Sequence, residues 1–248
     1  SIFIFVYMIN STSSATEYRP RVFNDMIGQD AIVKTLNNAI KNDNIPQALL
    51  FCGPRGVGKT SCARILAKTI NNLEDDFEYN IFELDAASNN SVEDIRNITD
   101  QIRIPPQTGR YKVYIIDEVH MLSNQAFNAF LKSLEEPPEH VVFILATTEK
   151  NKILPTILSR CQIYDFKKVD NESIIKLLSK ICKEKKVKYE DGSLSLIAER
   201  SDGSIRDSLS IFDRLVSFTD SNLTISEVTS NLNVLDFNTY FKISELIN

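Results

Sequence analysis

The stretch Phe51-Cys-Gly-Pro-Arg-Gly-Val-Gly-Lys-Thr-Ser61 decides how the rest of the chain is read. From Gly53 to Thr60 it spells G-x-x-x-x-G-K-T, the pattern of a phosphate-binding loop. An apolar run, Ala48-Leu49-Leu50-Phe51, leads in and predicts a short buried strand. The run Ser61 to Ile70 leads out and predicts a helix, with Cys62, Ile65, Leu66 and Ile70 on one face. Strand, glycine-rich loop and helix in that order are the context the pattern needs. A glycine-rich turn that merely precedes a helix is the competing reading.

The residue types dictate the chemistry. Gly53, Gly56 and Gly58 allow backbone conformations that a side chain would block. The loop backbone that runs through Pro54, Arg55, Val57 and Ser61 can then curl its N–H groups around a phosphate at the positive end of the following helix. Lys59 can reach the β and γ phosphates, and the Thr60 hydroxyl can ligate Mg²⁺.

A second feature belongs with the first. Lys112-Val-Tyr-Ile-Ile116 predicts a buried strand followed at once by Asp117-Glu118. An unpaired buried carboxylate is costly, so the pair should meet a cation or solvent at the strand end. In a phosphate-loop protein the first acid, Asp117, holds the Mg²⁺ shell. The second, Glu118, is placed to orient and deprotonate a water that attacks the γ phosphate. A strand that exits into a solvated acidic turn is the alternative.

Around these two features the chain alternates strands and helices. Tyr18 to Phe23 is extended; Gly28 and Gln29 open a helix carrying Ile32, Val33, Leu36 and Ile40. Residues 71–80 form an acidic surface connection. Ile81 to Leu84 is a strand ending in Asp85, and Ser91 with Asp94 makes a capping-box pattern for the next helix. Ser123 caps a helix whose Phe127, Phe130, Leu131 and Leu134 belong to the core. Val141 to Ala146 is a continuous apolar strand suited to the centre of a parallel sheet, and it ends in Thr147-Thr148. Such ends line the crevice where ligands bind in open α/β sheets. Gln162 to Phe166 is the last strand of one α/β domain.

After Lys168 the pattern turns helical. Asn171 is expected to cap a helix with Ile174, Leu178, Ile181 and Cys182 inward. Its tail, Lys183 to Lys188, reads as a solvated helix end, with a DNA patch as the alternative. Helices over Ser193 to Arg200 and Ser204 to Phe218 follow, the latter with Ile205, Leu209, Phe212 and Val216 inward. Arg206 sits in the first turn of that helix, where a cation opposes the helix dipole; a distant anion or the neighbouring Asp207 can explain it. Residues 223–248 read as two more short helices.

Bulk properties narrow the field. The 248 residues carry 43% hydrophobic side chains, enough for a sizeable core and for more than one domain. The net charge of −5 means that any nucleic-acid contact comes from a local patch or from partner subunits. Cys52, Cys62, Cys161 and Cys182 form no C-x-x-C pair, and there are two histidines, which argues against a zinc site or a disulfide framework. Reduced, cytoplasmic thiols follow. The apolar start, SIFIFVYM, is too short to span a bilayer, and residues 1–16 read as a disordered or artefactual extension, with a signal peptide as the minor alternative.

Together the motifs resemble a family, the γ/τ subunits of bacterial DNA polymerase III, the ATP-driven motors of the sliding-clamp loader. The stretches that carry the resemblance are EYRPRVFNDMIGQD (17–30), FCGPRGVGKTSCARILAK (51–68), ELDAASNNSVEDIR (83–96), KVYIIDEVHMLSNQAFNAFLKSLEEPPEH (112–140), FILATTEKNKILPTILSRCQIYDF (143–166) and GSIRDSLSIFD (203–213). The resemblance implies an α/β fold of the AAA+ P-loop class with a parallel sheet over residues 17–167, a three-helix lid over 168–228 and the start of a truncated helical collar over 229–248. It implies ATP with Mg²⁺ bound by Thr60 and Asp117. It makes Lys59 and Thr60 the Walker A residues, Asp117 and Glu118 the Walker B pair, Thr148 sensor 1 and Arg206 sensor 2. Arg160, in the S-R-C motif, becomes the arginine finger donated to ATP in a neighbouring subunit, with a domestic salt bridge as the alternative. Tyr18, Pro20 and Ile27 would line the adenine pocket.

The implied partners are the other subunits of a hetero-pentameric loader, the sliding clamp and the backbone of primer–template DNA, without a membrane. The family usually carries a four-cysteine zinc module between the Walker A helix and the L-D-A-A-S strand. Residues 71–80 contain no cysteine, so no zinc is expected. Two rivals stand beside the motor: a catalytically silent structural subunit of the same complex, and a branch-migration or helicase motor forming a homo-hexamer.

Overall fold

A computed structural model describes residues 13–72, 80–89, 92–106 and 109–232. The chain divides into two compact units, one formed by Pro20–Lys167, the other by residues up to Arg19 together with those from Lys168 onward.

The first unit is built on five parallel strands: β1 (Ala48–Cys52), β2 (Ile81–Asp85), β3 (Lys112–Asp117), β4 (Val141–Thr147) and β5 (Gln162–Asp165). Their order across the sheet is β2-β3-β4-β1-β5. Its helices are α1 (Asp30–Lys41), α2 (Lys59–Asn71), α3 (Val92–Ile102), α4 (Asn124–Glu135) and the short α5 (Pro155–Leu158). Both faces of the sheet are covered. Leu49 and Phe51 of β1 join Ile32, Leu36, Cys62 and Leu66 on one face. Leu50 and Cys52, one residue out of phase, join Ile95, Phe127, Phe130 and Phe143 on the other. Because successive strand side chains point to opposite faces, a strand buried twice over is apolar on both, as β1 is throughout and β4 is up to Ala146. Phe127 and Phe130 are core residues as expected. The Phe130 ring meets Phe143 edge-on at 5.0 Å, a geometry that aligns the ring quadrupoles.

Helix ends follow the local chemistry. Ser123 caps α4, its hydroxyl accepting from Ala126 N at 3.2 Å. The capping box expected at Ser91 lies outside the described residues.

The second unit is helical. It comprises α6 (Asn171–Lys185), α7 (Asp191–Arg200), α8 (Ile205–Phe218) and α9 (Ile225–Asn231). A two-stranded parallel pair, β6 (Lys188–Tyr189) and β7 (Asn222–Leu223), ties the start of α7 to that of α9. Two residues are too few to leave a period in the sequence, so this pair was not foreseen.

Three expectations change here. The cap of α6 is Asp170, whose carboxylate accepts from Ser173 N at 2.8 Å, and Asn171 is the first helical residue. An ionised acceptor at a helix N-terminus gains from the dipole, which favours the acid over its neighbouring amide. In α8 the buried positions are Ser208, Leu209, Phe212 and Leu215; Ile205 and Val216 are only partly covered. The division expected after residue 228 falls inside α9, where Val228 is fully buried. The continuation to 248 lies outside the described residues.

Of the extension expected over residues 1–16, residues 1–12 lie outside the described residues, and the part from Ser14 is helical. Ser14–Glu17 form one helical turn, and Ser14 is fully buried. Its backbone N–H donates to Asp213 Oδ2 at 2.7 Å and its hydroxyl to Asp213 Oδ1. Lys185 pairs with Glu17 at 2.7 Å, donates to Ser14 Oγ at 2.9 Å and lies over the Tyr18 ring. That lysine belongs to the basic tail of α6 and is committed to the N-terminal turn. Among the described residues no helix is long and apolar enough to cross a membrane.

Candidate nucleotide-binding site

The carboxyl ends of β1, β3 and β4 converge. Cys52 at the end of β1 lies opposite Thr147 at the end of β4, and Gly53 N donates to Thr147 O at 3.2 Å. The strand order reverses at β1, since the chain reaches β4 on one side of it and then β5 on the other. Such a switch point opens a crevice at the strand ends.

The loop after β1 has the backbone that the sequence predicts. Gly53, Gly56 and Gly58 all take positive φ, +147°, +75° and +100°. At Gly53 the reason is also steric: an added Cβ would collide with the Phe166 backbone. Gly58 precedes the first turn of α2. Lys59, 6% exposed, turns its ammonium onto the carbonyls of Gly53 and Pro54 at 2.8 and 2.7 Å. Burial pulls its pKa below the ordinary value, against the opposing pull of Glu118 and Asp117. A cation held by carbonyls at the mouth of a loop, with acids nearby, is placed to change partners when an anion arrives. Val57 is buried, Arg55 exposed, and Pro54 lies between these extremes.

The Thr60 hydroxyl donates to Asp117 Oδ2 at 2.6 Å. A hydroxyl and a carboxylate in mutual contact are hard oxygen donors that fit Mg²⁺, which would supply charge neutralisation at the phosphates when bound.

Glu118 follows Asp117 with φ +48° and ψ +44°, the left-handed region, uncommon for a residue with a side chain. Such strain persists where the surroundings over-determine it. Here Thr148 donates twice to Glu118 Oε2, from its hydroxyl at 3.0 Å and its N–H at 3.3 Å. Sequence reasoning chose Thr148 and Glu118 separately; the structure joins them.

It also adds a residue that sequence reasoning passed over. His120, in the single turn after Glu118, has its ring 6% exposed. Nδ1 lies 3.0 Å from Thr147 Oγ1 and 3.4 Å from Glu118 Oε2, while Nε2 lies 3.3 Å from Glu149 Oε1. The signal was the run Asp117-Glu-Val-His120 itself, with histidine two positions after the acid.

The remaining candidates stand apart. Arg160 donates to Glu135 Oε1 at 2.8 Å and to Thr156 O at 2.7 Å, so in the single chain it has the domestic partner weighed above. Pro20 and Ile27 are partly buried in the same unit as the loop. Tyr18 groups with the helical unit, where burial and the Glu184 carboxylate push its phenol up to about 12. Arg206 is exposed on the first turn of α8 and has no ion-pair partner among the described residues, Asp207 included. The segment in which the zinc module was missed, 73–79, lies outside the described residues.

A phosphate-loop glycine backbone, an acidic pair at the end of β3 and a threonine at the end of β4, on a parallel sheet of this order, define the AAA+ class of P-loop ATPases. The same fold occurs in the RuvB Holliday junction branch migration motor of Thermotoga maritima, with a TM-score of 0.69, 22% identity, and 88% of this chain and 73% of that one covered. At that identity the likeness concerns the fold alone.

Sequence comparison goes further. A family model described as "DNA polymerase III, delta subunit" matches residues 28–81 and 78–170, and one described as "DNA polymerase III clamp loader subunit, ATPase lid domain" matches 173–221. The tau subunit of Bacillus subtilis is 46% identical over 227 residues, covering 85% of this chain and 40% of that protein. The tau subunit of Escherichia coli is 42% identical over 239 residues, covering 90% and 37%. The gamma/tau subunit of Mycoplasma genitalium is 42% identical over 243 residues, covering 91% and 41%. The chain belongs to the DNA polymerase III clamp-loader family, among the gamma/tau subunits. It spans less than half the length of these three relatives.

Proposed function

We propose that the chain is an ATP-binding and hydrolysing motor subunit of the bacterial sliding-clamp loader, working within the DNA polymerase III holoenzyme to place the ring clamp on primed DNA. The observation that carries the reading is the pairing of Thr60 with Asp117 and of Thr148 with Glu118 at adjacent strand ends. The first pair offers a cation site beside the phosphate loop. The second holds a carboxylate where a water can be deprotonated.

Each residue then has a task. The N–H groups of the 53–61 loop surround the phosphates, and Lys59 exchanges its carbonyl partners for phosphate oxygens. Thr60 and Asp117 hold Mg²⁺. Glu118 takes the proton of the attacking water, and Thr148 orients Glu118 before the γ phosphate is engaged. Arg160 leaves Glu135 to reach ATP in a neighbouring subunit, and Arg206 reads the γ phosphate of its own subunit's ATP; both stabilise charge that develops during transfer. Tyr18, Pro20 and Ile27 contact the adenine. Loss of the γ phosphate removes the arginine contacts and changes the interfaces. DNA contact is to the backbone, and so depends strongly on salt. The rival reading, a silent structural subunit, is disfavoured by the retained Lys59, Asp117 and Glu118.

Steady-state ATP hydrolysis decides between them, measured for the chain alone and then with the other loader subunits, clamp and primed DNA. A motor gives weak activity alone, stimulation by the full set and loss in Glu118→Gln. ATP binding without hydrolysis in any combination overturns the motor and leaves a structural nucleotide-binding subunit.

A further inference from the structure

We infer that His120 is a positioning residue for Glu118, an imidazole wedge that fixes the resting place of that carboxylate and links it to Glu149 on the surface loop after β4. The inference rests on the reading of Glu118 as the base, and it assigns a role to a residue that the motifs leave without one.

The geometry is specific. The ring is 6% exposed in side-chain terms, so it is not a solvated surface histidine. Both of its nitrogens face polar oxygens. Nδ1 lies 3.0 Å from Thr147 Oγ1, which also accepts from Glu149 N at 3.0 Å, and 3.4 Å from Glu118 Oε2. Nε2 lies 3.3 Å from Glu149 Oε1. The same Glu118 oxygen takes hydrogen bonds from Thr148 N and Oγ1. The ring packs against one side of the Glu118 carboxylate while Thr148 supplies donors on the other.

The far end of the chain of contacts is exposed. Glu149 is 41% exposed and pairs with Lys152 at 2.8 Å. Anything that draws Glu149 away from His120 frees the ring to turn, and with it the wall against which Glu118 rests. Loop 149–152 is thus joined to the base by two side-chain steps.

The test uses the full chain, alone and with the other loader subunits. His120→Ala is expected to lower kcat for ATP hydrolysis about tenfold with KM for ATP within about twofold, and His120→Gln, whose amide can still donate to Glu149, to recover most of the loss. Glu149→Gln sits on an exposed loop and keeps the test decisive should His120→Ala misfold; it is expected to lower kcat severalfold. A second readout is independent of activity. The chain has two histidines, so imidazole ¹⁵N spectra give two sets of signals. Glu118→Gln and Glu149→Gln should each move the His120 ring signals and leave those of His140, which is bonded to Ile102 O, in place. Unchanged kcat in both His120→Ala and Glu149→Gln, or unmoved His120 signals, overturns the inference. A kcat loss in His120→Ala that His120→Gln does not relieve, accompanied by an equal loss of nucleotide affinity, also overturns it, by showing a purely structural role. Retained hydrolysis in Glu118→Gln overturns instead the reading of Glu118 on which it rests.

Discussion

Thr60 Oγ1 donates to Asp117 Oδ2 at 2.6 Å, which fastens the first turn of α2 to the end of β3 across 57 residues of sequence. The two residues belong to different segments, and only the fold brings them into contact. A hydroxyl in a helix turn and an acid at a strand end become one oxygen-donor pair because β3 and β1 sit in the same sheet. Thr60→Ala and Asp117→Asn should each weaken nucleotide binding roughly tenfold or more with Mg²⁺ present, and far less in EDTA. Fluorescent-nucleotide titration in both buffers checks this; equal losses in the two would remove the cation from the account.

Arg160 pairs with Glu135 at 2.8 Å within the chain. Half-exposed pairs of this kind contribute little to stability, so the arginine is cheaply released. Arg160→Ala should reduce hydrolysis by on the order of 1000-fold in the assembled loader and leave the isolated chain's basal rate unchanged. Glu135→Ala should leave the assembled rate at or slightly above the parent value. A loss of the same size from Glu135→Ala would make the domestic pair, not the transfer to a neighbour, the reason for the arginine.

Gly53 cannot carry a side chain. Its φ of +147° is disfavoured for any other residue, and a Cβ would strike the backbone carbonyl of Phe166, which has no freedom to move aside. Gly53→Ala should cost at least about 2 kcal/mol of stability, read by urea denaturation, together with nucleotide binding. A fully stable variant would mean that the loop rearranges without cost.

Four thiols set an alkaline limit. Burial pushes Cys52, Cys161 and Cys182 up to about 11 and Cys62 up to about 12, from an ordinary 9.0. Their folded values lie above the unfolded one, so the native state binds more protons between the two. The stability tied to this is fully present below about pH 9 and is lost as pH rises through 11 to 12, with a slope of at most about 1.4 kcal/mol per pH unit for each thiol. Denaturation series at about pH 8 and about pH 10 should show the fall, and Cys62→Ala should lessen it. A flat profile across that window would show the thiols to be more solvated than their burial indicates.

The turn at Ser14 is held by Asp213 through two hydrogen bonds. Asp213→Ala should destabilise the helical unit by about 1–2 kcal/mol, and Ser14→Ala by less, since the backbone bond remains. Removal of residues 1–16 should cost at least as much as Asp213→Ala. If thermal melts show the truncated chain to be as stable as the parent, the turn is ornamental.

The sheet was readable because its strands are buried on both faces. Leu49 and Phe51 pack one way, Leu50 and Cys52 the other, so β1 has to be apolar at every position and stands out as a run. The glycine positions were readable because few residues tolerate φ between +75° and +147°. The Asp170 cap was missed because Asp170 and Asn171 are both good caps, and only the backbone angles choose between them. β6 and β7 were missed because two-residue strands have no period.

By itself the sequence determined what depends on nearest neighbours along the chain: the phosphate loop with its flanking strand and helix, the acidic pair closing a buried strand, and the family to which these motifs belong. Only the tertiary structure decided what depends on distance through space. It set Thr148 and His120 on Glu118, Glu135 on Arg160 and Asp213 on Ser14. Those partners are separated along the chain by anything from two residues to 199. A hydrogen bond between side chains leaves no periodic mark on either segment, because its energy falls steeply with distance and angle and neither is written in one dimension.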